Sequence, residues 1–246
     1  MSMTGRNYNN YWTSTETYEA LKIHISTNFD GLKEKITMLV AGEKVLINTT
    51  KFQNDMTSMN SADDILTLLV HLGYLTYRDT SNVGTGEVWI PNSEIQQEFI
   101  NSIEDGGWEE VIKSINMSDE LLNATLNCDE EKVAEYLDKN HSDNTSILQY
   151  NNENSLSCVI SIAYYSARKN YTIHREFPAG KGFADLVFLP RSNCSMPAFI
   201  VELKYNQTAD TALNQIKNRN YAECLKDYTG EILLVGINYD KHNENK

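Results

Sequence analysis

Three charged residues interrupt two strongly apolar segments in the C-terminal part of the sequence. Asp185 lies within GFADLVFLP, and Glu202 and Lys204 lie within AFIVELK. The apolar composition of both segments and the turn residues beside them predict short buried strands. A carboxylate in a buried strand costs free energy unless it is paired with a cation or binds a metal ion. The fold of this chain must therefore bring these charges to suitable partners.

The spacing of the charges is compatible with a metal site. Residues two apart on a strand share a face, so Glu202 and Lys204 should lie side by side, and an adjacent strand can add Asp185. Two carboxylates and a backbone carbonyl, here that of Leu203, are ligands that suit Mg²⁺ or Mn²⁺. Such an ion can polarise a phosphoryl oxygen and lower the pKa of bound water. Lys204 can then orient or deprotonate that water.

A structural ion pair at a sheet edge is the alternative interpretation of the same residues. The Glu-x-Lys spacing is weak evidence by itself, because it occurs three times in the chain, beginning at Glu130, Glu202 and Glu244. Only the middle occurrence lies in an apolar, strand-like segment with a second acid in an earlier strand. The surrounding sequence gives the pattern most of its weight.

The periodicity of residues 145–246 predicts an α/β (α+β) fold with a mixed sheet flanked by helices. A helical stripe over 156–164 is followed by predicted strands at 171–177, 183–189 and 198–203. A helix over 208–225 and a final strand over 231–237 complete the domain. One crossover helix joins the last two strands, so these two should be parallel.

The preceding residues are predicted to be mostly helical. Segment 12–47 has helical periodicity, with Gly42 as the expected stop. Residues 61–100 follow the order helix, strand, loop, strand, which is typical of a winged-helix-like unit. Two amphipathic helices are expected over 107–139, with a break near residues 127–129, before a polar linker over 141–146. The predicted division is a helical segment, a winged-helix-like unit, a helical connector and a C-terminal domain, at residues 1–60, 61–115, 116–144 and 145–246.

Charge is distributed unevenly along the chain. Residues 1–140 contain 10 Lys and Arg against 23 Asp and Glu, whereas residues 141–246 contain 11 of each. The C-terminal part can therefore approach a phosphate backbone, while the acidic first part favours a protein partner over DNA. No apolar segment approaches the ~18 residues of a membrane span, and the four cysteines form no CxxC pair. We expect a cytoplasmic protein that does not enter the membrane.

Asp185, Glu202 and Lys204 resemble the signature of the PD-(D/E)XK nuclease superfamily. Residues from about 145 to 242 resemble most closely the nuclease domain found at the C-terminus of many bacterial AAA-ATPase-like proteins. The further matches to that domain are Glu153–Asn154, Tyr171, Glu176, Gly180, Gly182, Pro190, Ala198–Lys204, Ala212, Gln215, Ile216 and Tyr221. Residues 12–115 resemble what precedes it, the end of the ATPase-like module and a block that includes 73–76 and 90–99.

The resemblance implies a restriction-endonuclease-like fold and a Mg²⁺-dependent nuclease that hydrolyses phosphodiester bonds, most commonly in DNA. It implies that Asp185, Glu202 and the Leu203 carbonyl bind the metal and that Lys204 positions or activates the water. It also places Gln215 near the site. The remaining candidates are Glu153, which would reach the metal through water, and Lys181 and Tyr221, which would contact nucleic acid.

Three departures from the family pattern and several alternatives stay open. Phe183 stands where the family often has Arg, Ser155 and Leu156 replace aromatic residues, and no GxxxxGKS/T phosphate loop is present, so no ATP site is expected. Glu153 fits equally well as an acid at a helix N-terminus, and Tyr221 as a core residue. The chain as a whole fits three functions: a nuclease, a catalytically silent module that binds an ATPase partner, or a nucleic-acid-binding regulator.

Overall fold

The computed structural model describes residues 22–23, 25, 31–50, 52, 59, 61–144, 153–179, 182–192, 194–221, 225 and 228–240. The chain divides into two compact units, residues 1–112 and 113–246. The described residues form a mixed α/β structure with seven α-helices and two sheets. No described helix combines the length and the apolar character needed to cross a membrane.

Unit 1 contains a three-stranded antiparallel sheet with helices before and after its strands. Its elements are α1 (Leu32–Val40), β1 (Val45–Asn48), α2 (Ala62–His71), β2 (Thr76–Asp79), β3 (Thr85–Trp89) and α3 (Ser93–Asp105), and the strand order is β1-β3-β2. Ser61 caps α2 by accepting a hydrogen bond from the Asp64 N–H, and Asn92 caps α3 in the same way. The predicted order of helix, strand, loop and strand is therefore present, and its interpretation as a winged helix stays a prediction.

The predicted helix stop at Gly42 is present, whereas the residues of segment 12–47 that follow it are not helical. Helix α1 ends at Val40, Gly42 adopts a positive φ of 87°, and Val45–Asn48 form strand β1. Val45 and Ile47 are buried while Leu46 and Asn48 are exposed, which is the two-residue alternation of a strand. These residues pair with β3, which follows some 40 residues later in the chain, so a local pattern could not indicate the pairing.

Two helices precede the C-terminal sheet, α4 (Glu109–Leu126) and α5 (Glu130–Asn144). The boundary between the two compact units falls within α4. The predicted break near residues 127–129 is present, and Cys128 adopts a positive φ of 56° there. Helix α5 continues to Asn144, so the first four residues of the predicted linker are helical, and the last two lie outside the described residues.

Unit 2 contains a four-stranded mixed sheet in the order β4-β5-β6-β7. After α6 (Glu153–Ala163) and a 3-10 helix (Tyr165–Lys169) come β4 (Tyr171–Ala179), β5 (Gly182–Pro190), β6 (Ala198–Tyr205), α7 (Ala209–Asn218) and β7 (Ile232–Tyr239). The first three strands are antiparallel, and β7 runs parallel to β6 because α7 crosses over between them. The predicted mixed sheet and its crossover helix are confirmed.

Strand β6 is buried over almost its whole length. Apolar side chains cover both faces of the sheet at this strand. On one face, Phe188 and Phe199 stack with ring centroids 4.0 Å apart in a core that also contains Tyr164. On the other face, Val187 and Ile200 pack with Ile216 of α7. Polar groups on β6 are therefore placed in a water-poor environment.

Candidate active site

Asp185 and Glu202 lie on neighbouring strands where the pairing of those strands ends. The β5–β6 ladder pairs Phe188 with Phe199 and continues to Leu186 opposite Val201. One further step in this register sets Asp185 opposite Glu202. There the Asp185 Oδ2 accepts a hydrogen bond of 2.6 Å from the Leu203 N–H. The aspartate carboxylate thus takes the place of a backbone acceptor and lies directly beside the Glu202–Leu203 peptide.

Glu202 is a buried carboxylate with two hydrogen bonds on a single oxygen. Its exposed fraction is 1%, and Lys204 Nζ donates to its Oε1 over 2.9 Å. Gln215 Nε2 of α7 donates to the same Oε1. The second oxygen, Oε2, is buried and finds no hydrogen-bond partner among the residues that the structure describes. A buried polar atom without a partner calls for an explanation, and a bound cation is one.

Burial raises the pKa of Glu202 to about 6. The hydrogen bond from Lys204 acts in the opposite direction, and the negative charge of Asp185 raises the pKa further. Without additional positive charge, the carboxyl group of Glu202 is therefore poorly accommodated in its ionised form. A cation close to Oε2 would stabilise the carboxylate.

The oxygen donors at this position suit a hard divalent cation. In a strand the N–H and C=O of one residue point to the same side, so the Leu203 carbonyl lies on the side of β6 that faces Asp185. Within the described ranges, no group of three or more His, Cys, Asp or Glu side chains could hold a metal ion. Two carboxylates and one carbonyl, completed by water, are a ligand set that Mg²⁺ accepts, whereas zinc sites use His and Cys.

Tyr221 connects α7 to the start of β5 through its hydroxyl group. The side chain is fully buried, and the hydroxyl donates to the Phe183 carbonyl over 2.8 Å. The same oxygen accepts from Gln215 Nε2 and from Arg219 Nη1, both at 3.3 Å. Gln215 is therefore held between Glu202 and Tyr221, which fixes the rotamer of the amide.

The backbone of strand β4 is irregular at the residue opposite Asp185. Glu176 of β4 has a positive φ of 45°, although its side chain would favour the extended region. The β4–β5 register pairs Arg175 with Leu186 and Phe177 with Ala184, which sets Glu176 opposite Asp185. Backbone strain of this kind clusters at functional sites.

The structure brings together five of the predicted residues: Asp185, Glu202, Leu203, Lys204 and Gln215. Glu153 is the first residue of α6, but its side chain is not among those described, and Lys181 lies outside the described residues. Tyr221 is adjacent to the group. Its ring is enclosed by protein, which agrees with the alternative that it is a core residue, and its predicted contact with nucleic acid stays a prediction.

Two cationic residues near the site escaped the sequence analysis. Arg219 is exposed, and its charge lowers the pKa of Glu202. Arg175 Nε donates to Ser157 Oγ of α6 over 2.9 Å, and burial lowers the pKa of this guanidinium, against the effect of Glu176 and Asp185. The spacing of Gln215 and Arg219, four residues apart on one helix face, is a signal that could have identified Arg219.

The comparisons with known proteins bear only on the C-terminal part of the chain. Neither the search of curated proteins nor the search of solved structures found a match. Residues 151–246, which contain α6, the whole four-stranded sheet and α7, match the model of a protein family described as the PD-(D/E)XK nuclease superfamily. The match thus supports a nuclease-type domain in this part of the chain.

Proposed function

We propose that this protein is a metal-dependent nuclease that hydrolyses phosphodiester bonds in DNA. The observation that carries the proposal is the buried Glu202 Oε2, which has no partner among the described residues. Glu202 itself comes opposite Asp185 one step beyond the β5–β6 ladder. The family match over residues 151–246 supports the same reaction class.

Each polar group of the site has a role in this proposal. Asp185, Glu202 and the Leu203 carbonyl would hold Mg²⁺ or Mn²⁺, which supplies Lewis-acid polarisation of the phosphate and a more acidic water when bound. Lys204 and Gln215 both donate to Oε1 of Glu202, so Oε2 would be available to the ion. The Lys204 ammonium, 2.9 Å from that carboxylate, would orient or deprotonate the attacking water and stabilise negative charge on the phosphate.

The test is cleavage of supercoiled plasmid and of a labelled single-stranded oligonucleotide with Mg²⁺, with Mn²⁺ and with EDTA. We expect metal-dependent cleavage by the wild type and a loss of at least about 100-fold in Asp185→Asn and Lys204→Met, since each removes a group acting in the transition state. Asp210→Asn on the exposed start of α7 is the matched control and should retain full activity. Equal activity in the wild type and in Asp185→Asn would indicate a contaminating nuclease and remove the proposal.

The alternative is a catalytically silent nuclease-fold module that binds an ATPase partner. Isothermal titration of the metal-free protein separates the two functions. Binding of Mg²⁺ or Mn²⁺ that is lost in Asp185→Asn supports the nuclease, whereas no binding at millimolar metal supports the silent module. The AAA-ATPase association and the acidic protein-binding role of the first part belong to this alternative as well and stay predictions.

A further inference from the structure

Arg219 directly follows α7, the helix that supplies Gln215 to Glu202, and its side chain is exposed. Burial raises the pKa of Glu202, and the positive charge of Arg219 acts in the opposite direction, so this charge reaches the carboxylate. The cation bonded to Glu202 is Lys204, which is only 7% exposed. Of these two cations, Arg219 is therefore the one that a ligand in solution can reach.

The guanidinium of Arg219 is held at one nitrogen. Its Nη1 donates to the Tyr221 hydroxyl over 3.3 Å, and the same hydroxyl accepts from Gln215, which bonds Glu202. In the described part of the chain, the guanidinium makes this one hydrogen bond and forms no ion pair. A guanidinium carries five N–H donors. The remaining donors are therefore open to a ligand, while the group itself is fixed relative to the site.

Gly182, the first residue of β5, leaves the space that this guanidinium needs. A Cβ on Gly182 would lie 2.8 Å from Arg219 Nη1 and 3.4 Å from the Tyr221 hydroxyl oxygen. The φ of Gly182 is not positive, so its backbone conformation is open to alanine. The glycine is useful here because the guanidinium approaches it closely, and not because of the backbone conformation.

We infer that Arg219 is a phosphate-binding residue of the candidate active site, and that its guanidinium binds a backbone phosphate of the DNA beside the proposed metal ligands. A planar guanidinium with open donors matches a pair of phosphate oxygens. Its charge also offsets the repulsion between the DNA backbone and the carboxylates of Asp185 and Glu202. Tyr221 and Gly182 position the group. This inference rests on the proposed nuclease function.

The test measures DNA affinity by fluorescence anisotropy in the Asp185→Asn background with EDTA, so that no DNA is cleaved and no divalent ion competes for the phosphates. The probe is a labelled duplex, titrated at a series of salt concentrations. Arg219→Gln should weaken binding about tenfold, as expected for one charge-assisted hydrogen bond. It should also reduce the slope of log affinity against log salt by about 0.9, the value for one phosphate contact. Arg219→Lys should keep the slope, because the charge remains, and lose part of the affinity with the planar donor pair.

Lys217→Gln is the matched control for the loss of one positive charge at the end of α7. Lys217 is exposed in the last turn of the helix and lies two residues from both Gln215 and Arg219, on a different helix face. This variant should change the affinity less than about twofold, because salt screens a charge that does not contact phosphate. Equal losses of slope in Lys217→Gln and Arg219→Gln would overturn the inference, because general attraction would then account for both.

Gly182→Ala tests the position of the guanidinium without removing it. The new methyl group should push the flexible end of Arg219 aside, because it would lie 2.8 Å from Nη1, and DNA binding should weaken as it does in Arg219→Gln. In the Arg219→Gln background, the same substitution should add less than about twofold, since both changes remove one interaction. Full additivity would show that Gly182 acts independently of Arg219 and would overturn the proposed positioning.

A structural role of Arg219 and a failure of the nuclease proposal give different results. A lower Tm of Arg219→Gln with unchanged DNA affinity and salt slope would overturn the phosphate site, because the bond to Tyr221 would then serve stability alone. Metal-dependent cleavage by the wild type would leave the nuclease proposal standing in that case. A parent that binds no DNA at the lowest salt would also overturn the phosphate site. Absence of cleavage by the wild type, together with a reduced slope in Arg219→Gln, would instead remove the nuclease proposal and leave a phosphate site in a silent module.

Discussion

Removal of the Glu202 charge should change how the stability of the metal-free protein depends on pH. Burial raises the pKa of this carboxyl group from 4.5 to about 6, in spite of the opposing hydrogen bond from Lys204. A difference of about 1.5 between the folded and unfolded pKa corresponds to about 2 kcal/mol, at 1.36 kcal/mol for each pH unit. The side chain is 2% exposed, so this carboxyl group is almost entirely enclosed by protein.

The direction in which the free energy of unfolding changes with pH follows from proton binding. Between pH 4.5 and 6 the folded state holds the Glu202 proton more tightly than the unfolded state, so the free energy of unfolding falls as pH rises. The stabilising contribution is complete below pH 4.5 and is lost once the pH has passed about 6. Relative to Glu202→Gln, which does not titrate, the wild type should therefore lose about 2 kcal/mol between pH 4 and pH 7.

Hydrogen exchange of peptides from β6, measured with EDTA at each pH, is the appropriate assay. All three tryptophans lie within residues 1–112, so tryptophan fluorescence would report on unit 1 rather than on the sheet. The intrinsic exchange rate cancels in the difference between wild type and variant. Glu94→Gln, an exposed acid in the first turn of α3, is the control and should give a difference that is constant with pH. A difference that is also constant for Glu202→Gln, or that rises with pH, would refute the reasoning.

Three further perturbations test the same site. Mg²⁺ at 100 times its Kd should stabilise the wild type by about 2.7 kcal/mol at pH 7, measured as a shift of Tm, and an equal shift in Asp185→Asn would contradict the ligand assignment. Lys204→Met breaks a buried ion pair and should destabilise metal-free unit 2 by about 3–5 kcal/mol. Urea unfolding followed by circular dichroism measures this loss, and a loss below about 1 kcal/mol would show that the pair is dispensable. Gln215→Leu should weaken Mg²⁺ binding about 10- to 100-fold in calorimetry, because an orienting donor to Glu202 is lost, and unchanged affinity would remove that role.

The sequence indicated the parts of unit 2 that depend on strongly apolar strands. The apolar composition of residues 183–189 and 198–203 predicted two buried strands, and adjacent strands bring the charges within them together. The crossover helix before 231–237 required β6 and β7 to be parallel, as the register of Glu202 opposite Gly236 confirms. These inferences succeeded because each follows from a local pattern combined with a general rule of sheet topology.

The features that the sequence did not indicate depend on contacts between distant residues. Strand β1 is only four residues long and becomes a strand by pairing with β3. The apolar pattern predicted that Phe183 would be buried with the rest of its strand, yet its ring is exposed. The donors to Glu202 come from Lys204, which is local, and from Gln215, 13 residues away on another element. The exposure of one side chain and the choice of a distant hydrogen-bond partner leave no periodic pattern in the sequence.

The distribution of hydrogen bonds on Glu202 bears on whether these charges form a structural ion pair or a metal site. A buried ion pair is tolerated when further hydrogen bonds satisfy the remaining lone pairs. Here both donors bind Oε1, while Oε2 is left without a partner among the described residues, and the negative charge of Asp185 raises the pKa of the group. For stability alone, moving one donor to Oε2 would be better. A proton on that oxygen relieves the arrangement below the pKa of about 6, and above it a nearby cation would do so. This distribution of hydrogen bonds therefore supports the proposed metal site.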